Sequence, residues 1–278
     1  MEAAAKESEE KQQMKIWCQQ PMSMPRNNPV FENYYRLLER DYGLVKRPET
    51  EFVIQDVPDG FTDTEMFSYL GLRFLNDRQI LKRMIQAQEE GYDAVIGMCY
   101  FDSGIEAARQ LLEIPVVGAA ESAMFTACLM GHCFGTITED SRWVPEMEKH
   151  IHDLRLEKRA VSEKPIRPLN FSSENFLDCL RGNFKPAIDD FSSVARDLIK
   201  DGADVIISGC GLLSPMVTLS ETRMIDGVPI IDPLLTSLKI AELMVDFRRS
   251  GFPVKSLSGL FLGCDAGTIK TSYSLFKI

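Results

Sequence analysis

The chain has 278 residues, 45% hydrophobic and 26% charged, the profile of a globular protein long enough for two moderate cores. Forty-one acidic residues against 31 basic leave a net charge of −10, which argues against a nucleic-acid partner because the basic footprint for phosphate is missing. The longest apolar runs, such as Val228 to Ile231, fall far below the roughly 18 residues that span a bilayer, and no charged-then-apolar leader opens the chain, so no membrane partner and a cytoplasmic location are expected.

Residues 1–13 read as a helical linker, a tag or disordered extension with nothing to anchor a core, and Met14 as the natural start. Beyond it, short β-rich runs alternate with helical patterns in the rhythm of parallel βαβ units, so the class is α/β. Strands are expected at Lys15–Gln19, Glu51–Val57, Ala94–Cys99 and Pro115–Gly118, then at Cys133–Thr138, Ile166–Phe171, Val205–Gly209 and Val228–Ile231. Between them, Ile80, Leu81, Met84 and Ile85 mark one helical stripe, and Ile188, Phe191, Val194, Leu198 and Ile199 another. Asp102 or Ser103 is expected to cap a helix through Ile105–Leu112, while Ser214-Pro215 and Asp232-Pro233 each read as an N-cap followed by proline.

The chain also repeats itself. Gly91-Tyr-Asp-Ala-Val-Ile-Gly-Met-Cys99 aligns without gaps on Gly202-Ala-Asp-Val-Ile-Ile-Ser-Gly-Cys210, and Ile114-Pro-Val-Val117 answers Val228-Pro-Ile-Ile231. Two copies of one four-stranded unit follow, each with a cysteine at the end of its third strand. Ligands of parallel sheets sit at the carboxyl ends of the strands, beside helix N-termini.

Two facing thiols in such a place suit one chemistry. A planar carbanion held between Cys99 and Cys210 loses a proton to one sulfur and regains it from the other, which is stereoinversion without a cofactor. One sulfur must be a thiolate, and because a free cysteine titrates at about 8.5 the site has to favour the anion, with helix N-termini as the source of positive potential. Proton transfer of this kind contributes about 10² to 10⁴ in rate, so hydrogen-bond donors must also meet the developing enolate. The Gly211 amide, the Ser23 and Thr138 hydroxyls and the amides around Tyr100 are candidates by position. Burial in a core is the ordinary fate of a cysteine, but coincidence would have to put both at one repeat position, beside glycine, at a strand end.

The other groups lack that support. The odd total of seven cysteines points to reduced thiols rather than a disulfide framework, and Cys18, Cys179 and Cys264 read as structural. Cys128, His132 and Cys133 lack the second ligand pair of a zinc site, so no metal is expected. His150 and His152, among Glu148, Lys149 and Asp153, read as a solvated surface. The first strand runs into Gln19-Gln20-Pro21-Met22-Ser23 rather than a glycine-rich phosphate loop, so no nucleotide cofactor is implied.

Cys99-Tyr-Phe-Asp-Ser-Gly104 with Ile-Glu-Ala-Ala-Arg109, Pro115-Val-Val-Gly-Ala-Ala-Glu-Ser-Ala123, Cys133 to Thr138, Arg142-Trp-Val-Pro145, Gly202 to Gly211 and Val228-Pro-Ile-Ile-Asp-Pro233 resemble the aspartate/glutamate racemase superfamily, and hydantoin racemases most closely. The resemblance implies two pseudosymmetric lobes, each a four-stranded parallel sheet flanked by helices, with the active site in the cleft between them. It implies that Cys99 and Cys210 are the catalytic acid and base, and that Glu121, within the matching segment, joins Ser23, Tyr100, Thr138 and Gly211 as a substrate contact. The chain is expected to return to lobe one through a helix from Pro233 to Arg248, so that 14–118 with 234–278 form lobe one and 119–233 lobe two. A homo-oligomer, no cofactor and a small substrate bearing a carbonyl or carboxylate are also implied.

Two departures bear on the substrate. Hydantoin racemases resemble Asn-Pro-Asn-Ser/Thr after the first strand, where this chain has Gln20-Pro21-Met22-Ser23, and two threonines in the second lobe, where it has Thr138-Glu139. A racemase acting on 5-substituted hydantoins is the leading expectation. Amino-acid racemisation, maleate-type isomerisation through a thioether and arylmalonate-type decarboxylation are alternatives on the same scaffold, and a non-catalytic two-lobed binding protein is an alternative of another class.

Overall fold

The computed structural model describes residues 13–169 and 173–276. Of the expected extension at 1–13 only Gln13 falls among them, and Asn170 and Phe171, the end of the sixth expected strand, lie outside the described residues. Strands β1 (Met14–Gln19), β2 (Thr50–Gln55), β3 (Ala94–Gly97) and β4 (Val116–Gly118) make a parallel sheet in the order β2-β1-β3-β4. Strands β5 (Phe134–Thr138), β6 (Ile166–Pro168), β7 (Val205–Ser208), β8 (Met224–Ile225) and β9 (Val228–Ile231) make the second, β6-β5-β7-β9-β8. Its four parallel strands repeat the spatial order of the first sheet, so the sequence repeat is also a repeat of topology.

The fifth strand of that sheet, β8, has no counterpart in the expected four. It pairs antiparallel with β9 through a hairpin at Asp226 and Gly227, both at positive φ (49° and 85°), the backbone that a two-residue turn of matching twist requires. Two residues are too few to carry an alternating pattern, which is why no strand is legible there.

Strands β3, β4, β5 and β7 are buried along their whole length, as their continuous apolar runs require when helices cover both faces. The side-chain period of two divides the core of the first sheet. Ile16 and Cys18 of β1 join the main apolar cluster, while Trp17 between them packs on the opposite face with Ile80 and Met84.

Ten helices are described: α1 (Pro29–Gly43), α2 (Leu70–Glu89), α3 (Ile105–Leu111), α4 (Ala119–Met130), α5 (Val144–Asp153), α6 (Ser173–Leu180), α7 (Lys185–Lys200), α8 (Leu213–Leu219), α9 (Pro233–Arg249) and α10 (Ala266–Phe276). Asp232 caps α9 as expected, accepting from the amides of Leu234 (2.8 Å) and Leu235 (3.3 Å). The other two caps differ. Ser214 lies inside α8, where its hydroxyl donates to the carbonyls of Ser208 and Cys210, both at 2.7 Å. Asp102 caps α4 rather than α3, accepting from the amides of Ala120 and Glu121 at 2.9 Å each, and Gly104 in a left-handed conformation starts α3.

Helix α9 packs on β1, β3, β4 and α4. Its fully buried Glu242 accepts from the Arg47 amide (2.9 Å) and the Thr50 hydroxyl (2.7 Å) at the entry to β2. Among the described residues no helix is long and apolar enough to cross a membrane.

Candidate active site

A cavity opens where the carboxyl ends of the two sheets meet. Segments following β1 (Gln20 to Met24), β3 (Met98 to Phe101), β5 (Trp143, Met147) and β7 (Gly209 to Leu212) contribute its wall. Cys99 and Cys210 both line it, from opposite sheets, as do Tyr100 and Gly211.

Each cysteine is held by continued strand pairing. The Met98 amide donates to the Gln19 carbonyl at 2.9 Å, and the Gly209 amide to the Ile137 carbonyl at 2.7 Å. Beyond these bonds the chain turns into helical segments, presenting the Phe101 amide to the Cys99 sulfur and the Leu212 and Leu213 amides to that of Cys210. The two thiol segments touch. A Cβ on Gly211 would lie 2.6 Å from the Met98 carbonyl oxygen, so only glycine allows this approach. The Tyr34 hydroxyl on α1 donates to the Gly211 carbonyl at 2.6 Å and ties the second segment to that helix.

The electrostatics differ from the expected thiolate-favouring site. Burial pushes the Cys99 thiol up to about 12, and the Phe101 amide and Arg73 only partly offset it. Cys210 lies well above its usual range, chiefly through burial and then through the Glu139 carboxylate. The amides do act in the expected direction, but desolvation of the anion outweighs them. Burial thus favours the protonated form of both thiols.

Three of the residues expected to touch substrate do not line the cavity. Ser23 lies between Met22 and Met24, the two side chains of that stretch that are buried and face inward. Thr138 is fully buried, with its hydroxyl lacking a hydrogen-bond partner, but it is not part of the wall. Glu121 turns back on the start of its own helix, accepting from the Gly118 amide (3.2 Å) and pairing with Arg109. Its charge serves the helix N-terminus and a salt bridge.

His150 is not on a solvated face. It shares the inner face of α5 with Met147 and lies 3.3 Å from Asp102, a residue of the Cys99 segment. Cys128, Cys133 and His132 flank a backbone knot. Arg159 donates to the carbonyls of Cys128, Gly131 and His132, and Asp204 accepts from the His132 and Cys133 amides.

The wall adds groups that sequence reasoning passed over. Gln20 Nε2 and Trp143 Nε1 are buried donors without a hydrogen-bond partner, and both residues line the cavity. Buried donors left unpaired cost about 1–3 kcal/mol each, so two of them in one cavity call for an acceptor. Tyr100 closes the inner end through its hydroxyl, 3.4 Å from that of Thr136. Phe101 meets Trp143 edge to face and Phe67 at a tilt of 38° along one side. Among the described residues no charged side chain lines the cavity. Gln20 carried a sequence signal as the departure from asparagine after the first strand, Tyr100 was expected as a substrate contact, and Phe101 and Trp143 lie in the segments that carry the family resemblance.

The family model for Asp/Glu/Hydantoin racemase matches residues 38–241. A hydantoin racemase of Pseudomonas sp. (strain NS671) is 27% identical over 187 residues, 66% of this chain and 70% of that protein. The crystal structure of allantoin racemase from Pseudomonas fluorescens superposes with a TM-score of 0.73 at 25% identity, over 90% of this chain and 97% of that one. Allantoin racemase from Klebsiella pneumoniae shares the fold at the same TM-score and 20% identity, over 91% and 94%. With the family model covering well over half of the sequence and the two-lobed architecture matched across nine-tenths of it, the chain belongs to the Asp/Glu/Hydantoin racemase family and is an isomerase of the racemase type.

Proposed function

We propose that the protein racemises 5-substituted hydantoins with an apolar substituent, using Cys99 and Cys210 as the acid/base pair and no cofactor. One observation carries this reading: a single cavity with no charged side chain among its described lining residues presents two cysteines from opposite sheets. One thiolate takes the proton from C5 of the ring. The electron pair moves onto the adjacent carbonyl oxygen, and the other thiol delivers its proton to the opposite face.

Gln20 Nε2 and Trp143 Nε1 donate to the ring carbonyls, strengthening as negative charge builds on oxygen. The Met22, Met24, Phe67 and Phe101 side chains receive the substituent. Absence of a lining cation disfavours amino-acid, maleate and arylmalonate substrates, whose carboxylates would be buried uncompensated. In this reading the two lobes are 14–118 with 234–278 and 119–233, and the cleft between them is where the ring lies.

Exchange and racemisation of 5-benzylhydantoin in deuterated buffer, beside allantoin and free amino acids, test the proposal. Cys99→Ala and Cys210→Ala are each expected to lower racemisation by about 10² to 10⁴, sparing at most exchange of one enantiomer. Racemisation at the wild-type rate in either variant overturns the two-thiol mechanism. Turnover of amino acids but not hydantoins overturns the substrate class, and ligand binding without turnover in the wild type favours a binding protein.

A further inference from the structure

The two cysteines are related by the internal repeat, but their surroundings are not. Strands β5 and β7 pair Ile137 with Ser208, and the two chains run on from that pair, two residues each, to Glu139 and Cys210. In the first sheet β1 and β3 pair Gln19 with Gly97, and the same two-residue step along each chain leads to Pro21 and Cys99. By repeat position a carboxyl accompanies one thiol where a proline accompanies the other, and the Glu139 carboxyl interacts with the Cys210 side chain.

We propose that Glu139 and Cys210 form a proton-sharing dyad, in which Glu139 is a positioning residue that determines whether Cys210 is thiol or thiolate. This rests on the two-thiol reading of the cavity. Glu139 Oε1 is buried and has no hydrogen-bond partner of its own among the described residues, and the carboxyl reaches the Cys210 thiol. The other titratable groups that bear on the pair are Tyr34 from α1, Cys179 from α6 and Asp140 next in the chain, and none is a cation. On the sulfur side only the Leu212 and Leu213 amides favour an anion.

With no cation to balance two charges, the pair holds one proton. Burial accordingly raises Glu139 to about 7, and burial with the carboxylate's charge raises Cys210 well above its ordinary value. The step is a simple transfer. The S–H bond of Cys210 breaks as an O–H bond forms on Glu139, or the reverse, and the pair keeps a charge of minus one. Cys99 has no side-chain hydrogen bond of this kind: Asp77 and Asp102 raise it only through their charge, and Arg73 opposes them.

A shared proton leaves a signature that a structural role would not. Once the pair has lost its first proton, the split between its two one-proton forms no longer depends on pH. Iodoacetamide alkylation, quantified for each cysteine by peptide mass spectrometry from about pH 5.5 to about 9.5, reads the thiolate fraction. In the wild type the Cys210 rate should climb and then flatten near pH 7, where Glu139 titrates. In Glu139→Gln it should climb about tenfold per pH unit with no break, and Glu139→Asp should restore a break. The Cys99 profile should be the same in all three proteins.

An unbroken Cys210 climb in the wild type, or a break that persists in Glu139→Gln, overturns the dyad. The wild-type profile alone decides if Glu139→Gln does not fold. If racemisation needs both thiols but Cys210 shows no break, the dyad fails and the two-thiol reading stands. If the break is present but racemisation survives Cys210→Ala, it is the two-thiol reading that fails.

Discussion

Gly211→Ala tests whether the contact between the two cysteine segments sets the catalytic geometry. The added Cβ would sit 2.6 Å from the Met98 carbonyl oxygen, whereas a carbon–oxygen contact relaxes at about 3.3 Å, so the segments must part by about 0.7 Å. No flexible side chain absorbs this, because both sides are backbone. Met98 is pinned to the Gln19 carbonyl at 2.9 Å and Gly211 by the Tyr34 hydroxyl at 2.6 Å. Overpacking of this kind costs about 1–3 kcal/mol, or about 2–4 °C per kcal/mol in a chain of this size class. Displacing reacting groups by about 1 Å costs about 10² in rate, so kcat/KM for hydantoin racemisation, followed by circular dichroism, should fall about 10- to 100-fold. Gly71→Ala is the control, since a Cβ there meets nothing within 4 Å, and it should leave activity unchanged. The reasoning is refuted if Gly211→Ala keeps kcat/KM within about twofold of wild type, even if its Tm falls.

Because Cys99 is raised to about 12, its thiolate fraction increases with pH throughout the neutral range. Racemisation should therefore rise steadily from about pH 6.5 to about 9, and an optimum at or below about pH 7 would contradict the burial argument. A separate test concerns stability. Asp41 is fully buried against Asp232, and burial first, then the Asp232 charge, raises it to about 10. A carboxyl raised on folding contributes stability that is complete below its unfolded value and is lost as pH climbs through the folded one. Wild-type Tm should thus decline from mildly acidic toward alkaline pH. Asp41→Asn, which donates to Asp232 without needing a proton, should flatten that decline and gain a few degrees at about pH 9. An unchanged slope would remove Asp41 as its source.

Several features of the site were legible before any coordinates. The repeat placed Cys99 and Cys210 at equivalent strand ends, and parallel α/β architecture makes those ends the place where ligands bind. Asp232-Pro233 announced the start of α9 through the local chemistry of a cap. The inward direction of a loop side chain is another matter, because it follows from neighbours that are remote in sequence. Ser23 was the polar residue in view, yet Met22 and Met24 face the cavity. Glu121 was drawn away by Arg109, and His150 was drawn in beside Asp102 from another helix.

Composition, periodicity and the repeat were enough to determine the α/β class, the eight principal strands and the two strand-end thiols, because each is written in contacts between residues close along the chain. Strand register and the meeting of the two sheets were decided only in three dimensions. They bring the Glu139 carboxyl to Cys210, leave the Gln20 and Trp143 nitrogens buried without partners, and bury Cys210 and, in part, Cys99, enough that desolvation overcomes the amides. Burial and charge depend on everything that surrounds a group, and most of what surrounds these sulfurs arrives from residues far away in the sequence.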